Sequence, residues 1–372
     1  MVKVKEFYNS LREHNVTFFT GVPDSLLKDF CAYASDNAAG TDHVIAANEG
    51  NALALATGHH LATGKFGLVY MQNSGLGNAI NPLTSLVDPQ IYSIPLLLLI
   101  GWRGEPGFKD EPQHVKMGQV TLPILDALGI PHKVLDDNFK GIIDQASNYI
   151  KKNSSPFSIV VRAGTFEKYD SREDKLINFE MSREQAIAEI VKSLGHKDII
   201  VSTTGKTSRE LFECRQINNL GHNQDFLTVG SMGHSSSIAL GIALAKPNRQ
   251  VYCLDGDGAL IMHLGSLSVI AQLKATNFKH IVINNFVHDS VGGQPTAAIT
   301  TDIPAIAKAA GYIDTFSVST RADLIAAMKK IKAAVGPILL EVKVNKGARK
   351  DLGRPSTTPI QNKELFMHFL KD

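Results

Sequence analysis

Two carboxylates and two glycines stand together in the stretch YCLDGDGALIMHLG, Tyr252 to Gly265. An apolar, strand-like run ends there in Asp255-Gly256-Asp257-Gly258, and an apolar-periodic run begins at once. Glycines at such a place let the backbone turn sharply and approach a ligand closely. A helix starting near Ala259 turns its free amides toward the same spot, which suits a phosphate. Further on, HIVINN closes with Asn284-Asn285, and 25 residues separate Gly258 from Asn284. That interval holds one helix and one strand, so it returns the chain to the same sheet edge one strand along. A carboxylate and an amide oxygen then converge. Hard oxygen donors of this kind suit Mg²⁺, which is commonly shared with the phosphates of a substrate or cofactor. Asp255 and Asp257 share a face if strand geometry persists. The spacing leaves open which of them ligates and which supports.

The elements needed to position these groups are legible as pattern. Phe157–Val161, Ile199–Ser202, Val251–Leu254, His280–Ile283 and Ile338–Val344 read as buried strands. Helical periodicity covers Met181–Ser193, Ala259–Lys274 and Ala322–Ala334. Alternation of this kind predicts an α/β fold with parallel sheets covered by helices. In doubly wound sheets, ligands sit beyond the carboxyl ends of the strands. The chain also echoes itself. A helix leads to VTFFTGVPDS near the start, and another leads to DIIVSTTGKTS after residue 180. Both halves end as helix, proline, strand. The echo predicts two similar doubly wound parallel-sheet domains, 1–164 and 181–372, joined by a charged linker at 165–180. One large sheet with an insertion is the alternative.

The GDG triplet followed by NN at this interval resembles the signature of thiamine diphosphate-dependent enzymes. The resemblance implies that the metal ligands are Asp257, Asn285 and the backbone carbonyl of Val287. It implies a pyrimidine-binding first domain and a diphosphate-binding second domain. It also implies a glutamate that contacts the aminopyrimidine of the cofactor and promotes ylide formation. The segment IAANEGNALALATGHHLATGK places Glu49 in that position. A bulky apolar side chain is expected under the thiazolium, and TVGSMGHSSSIALGIAL offers Met232 between small residues. Thr204 and Gly205 are expected diphosphate contacts, with Gly75, Ser231, Gly256, Gly258 and Ala259 as further cofactor contacts. Larger members carry a middle domain for which this chain has no room. Members place each cofactor between two subunits, which implies a homo-oligomer, at least a dimer.

The segments TGVPDS (Thr20–Ser25), GWRGEPGFKDEPQH (Gly101–His114) and NNFVHDSVGGQPT (Asn284–Thr296) further resemble the phosphonopyruvate decarboxylases. Sulfopyruvate decarboxylases, which give sulfoacetaldehyde, are their near relatives and the nearer alternative reading. The implied reaction converts a small anionic 2-oxo acid, 3-phosphonopyruvate, to phosphonoacetaldehyde and CO₂. Arg103, Lys109 and His114 lie in a glycine-rich loop and are candidates for the distal anion, because arginine pairs hydrogen bonds to such groups. Asp24, Ser25 and His288 are candidates for substrate orientation, with Asp24 and His288 also for proton handling. Phe286-Val287 depart from the pattern, filling positions where many relatives carry a smaller pair. An acetolactate synthase-like carboligase is a farther alternative. A non-catalytic nucleotide binder is disfavoured, since GLGNAI (Gly75–Ile80) carries only two glycines of the dinucleotide fingerprint.

Composition excludes other classes. A net charge of +2 in 372 residues argues against a nucleic-acid or membrane surface built on bulk charge. Cys31, Cys214 and Cys253 form no CxxC spacing, and so neither a disulfide framework nor a zinc site. That fits a reducing cytoplasm. The most apolar run, Ile94–Ile100, is seven residues, too short to span a bilayer.

Overall fold

The structure is a computed structural model, and it describes residues 1–172 and 178–371. The chain divides into two units, Met1–Asp174 with Ser290–Gln294 and Lys175–Asp289 with Pro295–Asp372.

The first unit holds strands β1 (Phe19–Gly21), β2 (His43–Ile45), β3 (Leu68–Gln72), β4 (Leu97–Gly101), β5 (His132–Val134) and β6 (Phe157–Val161). Its helices are α1 (Val4–Glu13), α2 (Lys28–Asn37), α3 (Glu49–Thr63), α4 (Leu76–Ser85), α5 (Pro112–Ala127) and α6 (Phe139–Asn153). All pairings are parallel, in the order β2-β1-β3-β4-β6-β5. Alternate residues of each strand serve opposite faces. Leu97 and Leu99 pack with Phe7, Phe30 and Phe157, while Leu98 and Ile100 pack with Leu53, Leu76 and Leu125. A sheet covered on both faces needs such continuous apolar strands.

The second unit holds β7 (Ile199–Ser202), β8 (Asp225–Leu227), β9 (Val251–Gly256), β10 (Phe278–Asn284), β11 (Asp314–Val318) and β12 (Ile338–Lys343). Its helices are α7 (Arg183–Ser193), α8 (Lys206–Ile217), α9 (Ser235–Ala245), α10 (Asp257–Met262), α11 (Ser266–Leu273), α12 (Ile303–Ala310), α13 (Arg321–Ala333) and α14 (Pro359–Phe369). The sheet order is β11-β12-β10-β9-β7-β8, again all parallel. Read from its other edge, this is the first unit's order repeated strand for strand. The internal echo in the sequence is therefore a repeated topology, and the single-sheet alternative is excluded. In each unit the chain winds one way, then the other, and the strand order reverses between the first and third strands. A crevice opens at such a reversal, beyond the carboxyl ends of the two strands.

Two local details differ from expectation. The helix expected over Ala259–Lys274 is two helices, broken at His263–Gly265. Gly233 closes on this break: a Cβ there would lie 2.5 Å from the His263 ring and 2.9 Å from the Ala259 carbonyl oxygen. Within the segment 165–180, Val2 N donates to Thr165 O at 2.8 Å, Phe166 joins the first core, and Tyr169 Oη donates to Asp36 at 3.0 Å. Residues 173–177 of that segment lie outside the described residues. Phe179 N donates to Asn345 Oδ1 within the second unit. Among the described residues, no helix is long and apolar enough to cross a membrane.

Candidate active site

In the second unit, the expected metal and phosphate groups collect at the reversal between β7 and β9. β9 runs to Gly256, and Asp257 is the first residue of α10, so Asp255 and Asp257 part company. Asp255 is fully buried beneath the turn. It accepts from Ser235 Oγ (3.0 Å) and from the Gly256 amide (2.9 Å), and it lies 3.3 Å from His280 Nε2. His280 in turn meets Tyr312 Oη at 3.1 Å. Asp255 thus ties the turn to α9 and β10. Asp257 is buried as well. Its carboxylate accepts from Thr296 Oγ1 at 2.5 Å and from backbone amides, including that of Asn285. Burial pushes its pKa up to about 6. Among the described residues no side-chain cation pairs with it. A carboxylate held this way favours a cation beside it.

Asn284 and Asn285 divide the labour of the next strand end. Asn284 donates to Glu341 Oε1 (2.8 Å) and accepts from the Phe286 amide (3.0 Å), which braces the turn. Phe286 has φ 63°, a left-handed conformation costly for a bulky residue. It is held by stacking on Phe179 and by the bond from Thr296 N to its carbonyl. This backward step brings the Val287 carbonyl oxygen 3.0 Å from one terminal atom of the Asn285 amide, which donates to it if that atom is NH₂. With the amide turned over, two oxygens face one spot, an arrangement that calls for a cation between them. Adjacent ligands at right angles around Mg²⁺, at roughly 2.0–2.1 Å each, lie about 3 Å apart. The donor set of Asp257, Asn285 and the Val287 carbonyl therefore fits a hard divalent cation.

The other expected contacts line the same edge. Gly205, with φ 93°, occupies a conformation that disfavours other residues and opens α8. Thr204 Oγ1 accepts from Gly230 N at 3.0 Å, tying the loops after β7 and β8. In that second loop Gly230, Ser231 and Gly233 all have positive φ, so Met232 stands half-buried at the tip of a tight turn. Ala259 is buried in α10. His288 lies against Gly258, where a Cβ would sit 3.1 Å from its ring, and burial pulls its pKa down to about 4.

In the first unit, Glu49 is the first residue of α3, capped by Asn48, whose side chain accepts from Asn51 N. Its side chain is buried. Asn78 Nδ2 donates to Glu49 Oε2 at 2.7 Å, and the acid chain lies flat on Gly75. The segment Gln72-Asn73-Ser74-Gly75 at the end of β3 reaches Asp24, Arg103 and Glu49. Gln72 Nε2 donates to Asp24 Oδ1 at 2.5 Å, and its Oε1 accepts from Ser74. Asp24 is fully buried, its pKa raised chiefly by that burial. Asn73 Nδ2 donates to the Arg103 carbonyl (2.7 Å), and its Oδ1 accepts from the Arg103 amide (3.3 Å).

The three expected anion-binding side chains are not equivalent. Arg103 is gripped by both oxygens of Asp110 and donates to Ser25 Oγ at 2.8 Å. Burial opposes ionisation of Asp110, but the Arg103 hydrogen bonds hold it below the usual carboxylate range. His114 is buried, and burial followed by the nearby Arg103 pulls it down to about 4, so it stays neutral. Lys109 is exposed. Sequence reading passed over Gln72, Asn73, Asn78 and Thr296, and also the ion cluster Arg183, Lys206, Glu210 and Asp289. Asn78, Lys206, Asp289 and Thr296 lay inside quoted motifs without being singled out. The others come together only in the fold.

Two repeated parallel sheets define a two-unit α/β cofactor enzyme: a buried acid stands over a glycine at one switch point, and an oxygen-donor set at the other. Family models agree. The N-terminal TPP binding domain of thiamine pyrophosphate enzymes matches residues 4–123, and the C-terminal TPP binding domain matches residues 203–342. The chain belongs to the thiamine pyrophosphate enzymes. Over its length it is similar to a phosphonopyruvate decarboxylase of Streptomyces hygroscopicus, 34% identical over 99% of this chain and 94% of the relative. A phosphonopyruvate decarboxylase of Streptomyces viridochromogenes is 32% identical over 100% and 95%. A sulfopyruvate decarboxylase of Methanosarcina acetivorans is 28% identical over 87% and 86%.

Proposed function

We propose that this enzyme decarboxylates 3-phosphonopyruvate to phosphonoacetaldehyde and CO₂, using thiamine diphosphate and Mg²⁺. The observation that carries the reading furthest is similarity to phosphonopyruvate decarboxylases across the whole chain. The geometry of each switch point supports it. When bound, the cofactor supplies a nucleophilic carbon and a sink for the electron pair left behind by CO₂. The chain's own residues do the rest. Asp257, Asn285 Oδ1 and the Val287 carbonyl would hold the cation, and Gly205 and the amides opening α8 would receive phosphate oxygens. Met232, pinned between left-handed residues, offers an apolar support. Glu49 would hold or release a proton at its carboxylate, which Asn78 and Gly75 fix in place, toward an aminopyrimidine bound beside it.

Asp24, buried and raised, holds or releases a proton at Oδ1 or Oδ2, where Gln72 and the Leu26 amide set its orientation. His288, kept neutral, is a second candidate proton carrier. Arg103 orients the distal anion through N–H groups left over from Asp110 and Ser25, and the neutral His114 can donate one hydrogen bond. The proposal includes a homo-oligomer, to be checked by light scattering.

The test is aldehyde formation from phosphonopyruvate, sulfopyruvate and pyruvate, with and without thiamine diphosphate and Mg²⁺. Turnover that needs both additions and favours phosphonopyruvate is expected. Preference for sulfopyruvate would keep the cofactor site and overturn the substrate assignment. Loss of turnover with EDTA, restored by Mg²⁺, checks the metal.

A further inference from the structure

Asn285 has a choice of two orientations, and its neighbours disagree about which is better. Its amide lies between the Val287 carbonyl oxygen, 3.0 Å from one terminal atom, and Arg183 Nη1, 3.3 Å from the other. Oxygen and NH₂ occupy the same volume, so the amide can be turned over without moving anything else. With NH₂ toward Val287, it donates to that carbonyl, and its oxygen accepts from Arg183. With oxygen toward Val287, NH₂ donates instead to Asp289 Oδ2 at 3.4 Å, and the amide oxygen joins the carbonyl as a pair of cation ligands. The first arrangement satisfies the amide without a metal, because Arg183 serves as the cation. The second is the ligating one.

We propose that Asp289 is a positioning residue for the metal site: by accepting from Asn285 Nδ2 it favours the orientation that turns Oδ1 to the metal, against the competing bond from Arg183. The proposal rests on the reading of Asn285 as a metal ligand. Asp289 is built for a fixed position. Arg183 Nη1 reaches Asp289 Oδ2 at 2.8 Å, and Lys206 Nζ reaches both its Oδ1 (3.1 Å) and its carbonyl (3.0 Å). Arg183 is itself locked on Glu210 through two bonds, at 2.7 and 2.9 Å. Arg183 and Lys206 thus fix an acceptor at a spot where it can select an amide orientation. Partners outside the ligand shell typically change metal affinity by about 10–100-fold.

The experiment is a double-mutant cycle on Mn²⁺ affinity, read from the EPR signal of free Mn²⁺ in full-length protein with saturating thiamine diphosphate. Circular dichroism and thermal midpoints confirm that each variant is folded. Asp289→Asn is expected to weaken Mn²⁺ about tenfold in the wild-type background. Asn285→Asp places oxygen at both terminal positions and abolishes the choice. In that background Asp289→Asn is expected to cost less than about threefold, because no amide remains to orient. The same loss in both backgrounds would mean that Asp289 contributes only charge or packing, and would overturn the proposal. No loss in either would also overturn it. Asn285→Ala separates the two readings: if it leaves Mn²⁺ affinity unchanged, the ligand assignment itself fails, whatever Asp289 does.

Discussion

Gly75→Ala is the change that most sharply separates chemistry from folding in this protein. Gly75 has φ −68° and ψ −16°, an ordinary right-handed conformation at the start of α4. Alanine is allowed there, and at a helix start it is no worse than glycine for the backbone, with up to about 1 kcal/mol in its favour. The difficulty is local. A Cβ built on Gly75 falls 2.6 Å from both Cγ and Cδ of Glu49. Carbons pack at roughly 3.5–4.0 Å, so the acid chain must retreat by about 1 Å. That retreat also disturbs the 2.7 Å bond from Asn78 to Oε2. A misplacement of this size costs on the order of 100-fold in rate, or about 2.7 kcal/mol of barrier. The assay is turnover at saturating cofactor, with thermal midpoint and thiamine diphosphate affinity alongside. A loss of about 100-fold with a thermal midpoint within a few degrees of wild type is expected. Adding Glu49→Asp, which shortens the acid, does not restore reach and leaves the double variant no better. A Gly75→Ala enzyme turning over within about threefold of wild type would refute the reasoning: Glu49 would then not need the position that Gly75 allows it.

Arg103→Ala is expected to raise KM for phosphonopyruvate at least tenfold while changing pyruvate kinetics little, and equal losses on both would remove Arg103 from the distal-anion site. Asn73→Leu should reproduce part of that specificity defect without touching the guanidinium, since Asn73 bonds both backbone groups of Arg103; wild-type KM for phosphonopyruvate in this variant would show that the loop holds itself. His114, pulled down to about 4 from an ordinary value near 6.5, binds its proton later in the folded protein than in the unfolded chain. Its contribution is therefore complete above about pH 6.5 and is lost as pH falls toward 4. His114→Gln should flatten the acid-side decline of the urea midpoint by about one proton over that window, and parallel pH profiles for the two proteins would contradict the assignment.

Much of the site could be read from the chain because its backbone demands are local. Gly256-Asp257-Gly258 encode a strand end, a sharp turn and a helix start within a few residues, and Asn284-Asn285 follow at a spacing that one helical crossover sets. The buried strands β6, β7, β9, β10 and β12 were equally legible, since a sheet covered on both faces requires continuous apolar runs such as Phe157–Val161. The helix break at His263 was not. It answers to Gly233, thirty residues earlier and brought alongside only by the sheet. Arg103 shows the same limit from the other side. Its type and loop marked it as a contact for the distal anion, but the fold also places Asp110 across its guanidinium.

The sequence by itself determined the alternation of strand and helix, the doubling of the fold and the chemical types at both switch points, because these follow from periodicity and from short-range turn chemistry. Tertiary structure alone decided which carboxylate faces the proposed metal site and which is spent on Ser235 and His280 beneath it. It also decided that one four-residue segment at the end of β3 serves Asp24, Arg103 and Glu49 together, and that Arg183, Lys206, Glu210 and Asp289 gather beside Asn285. The reason is physical. Hydrogen bonds and ion pairs act over a few ångströms, and the distances between these groups are set by the packing of whole sheets and helices, on which residue spacing along the chain has no direct hold.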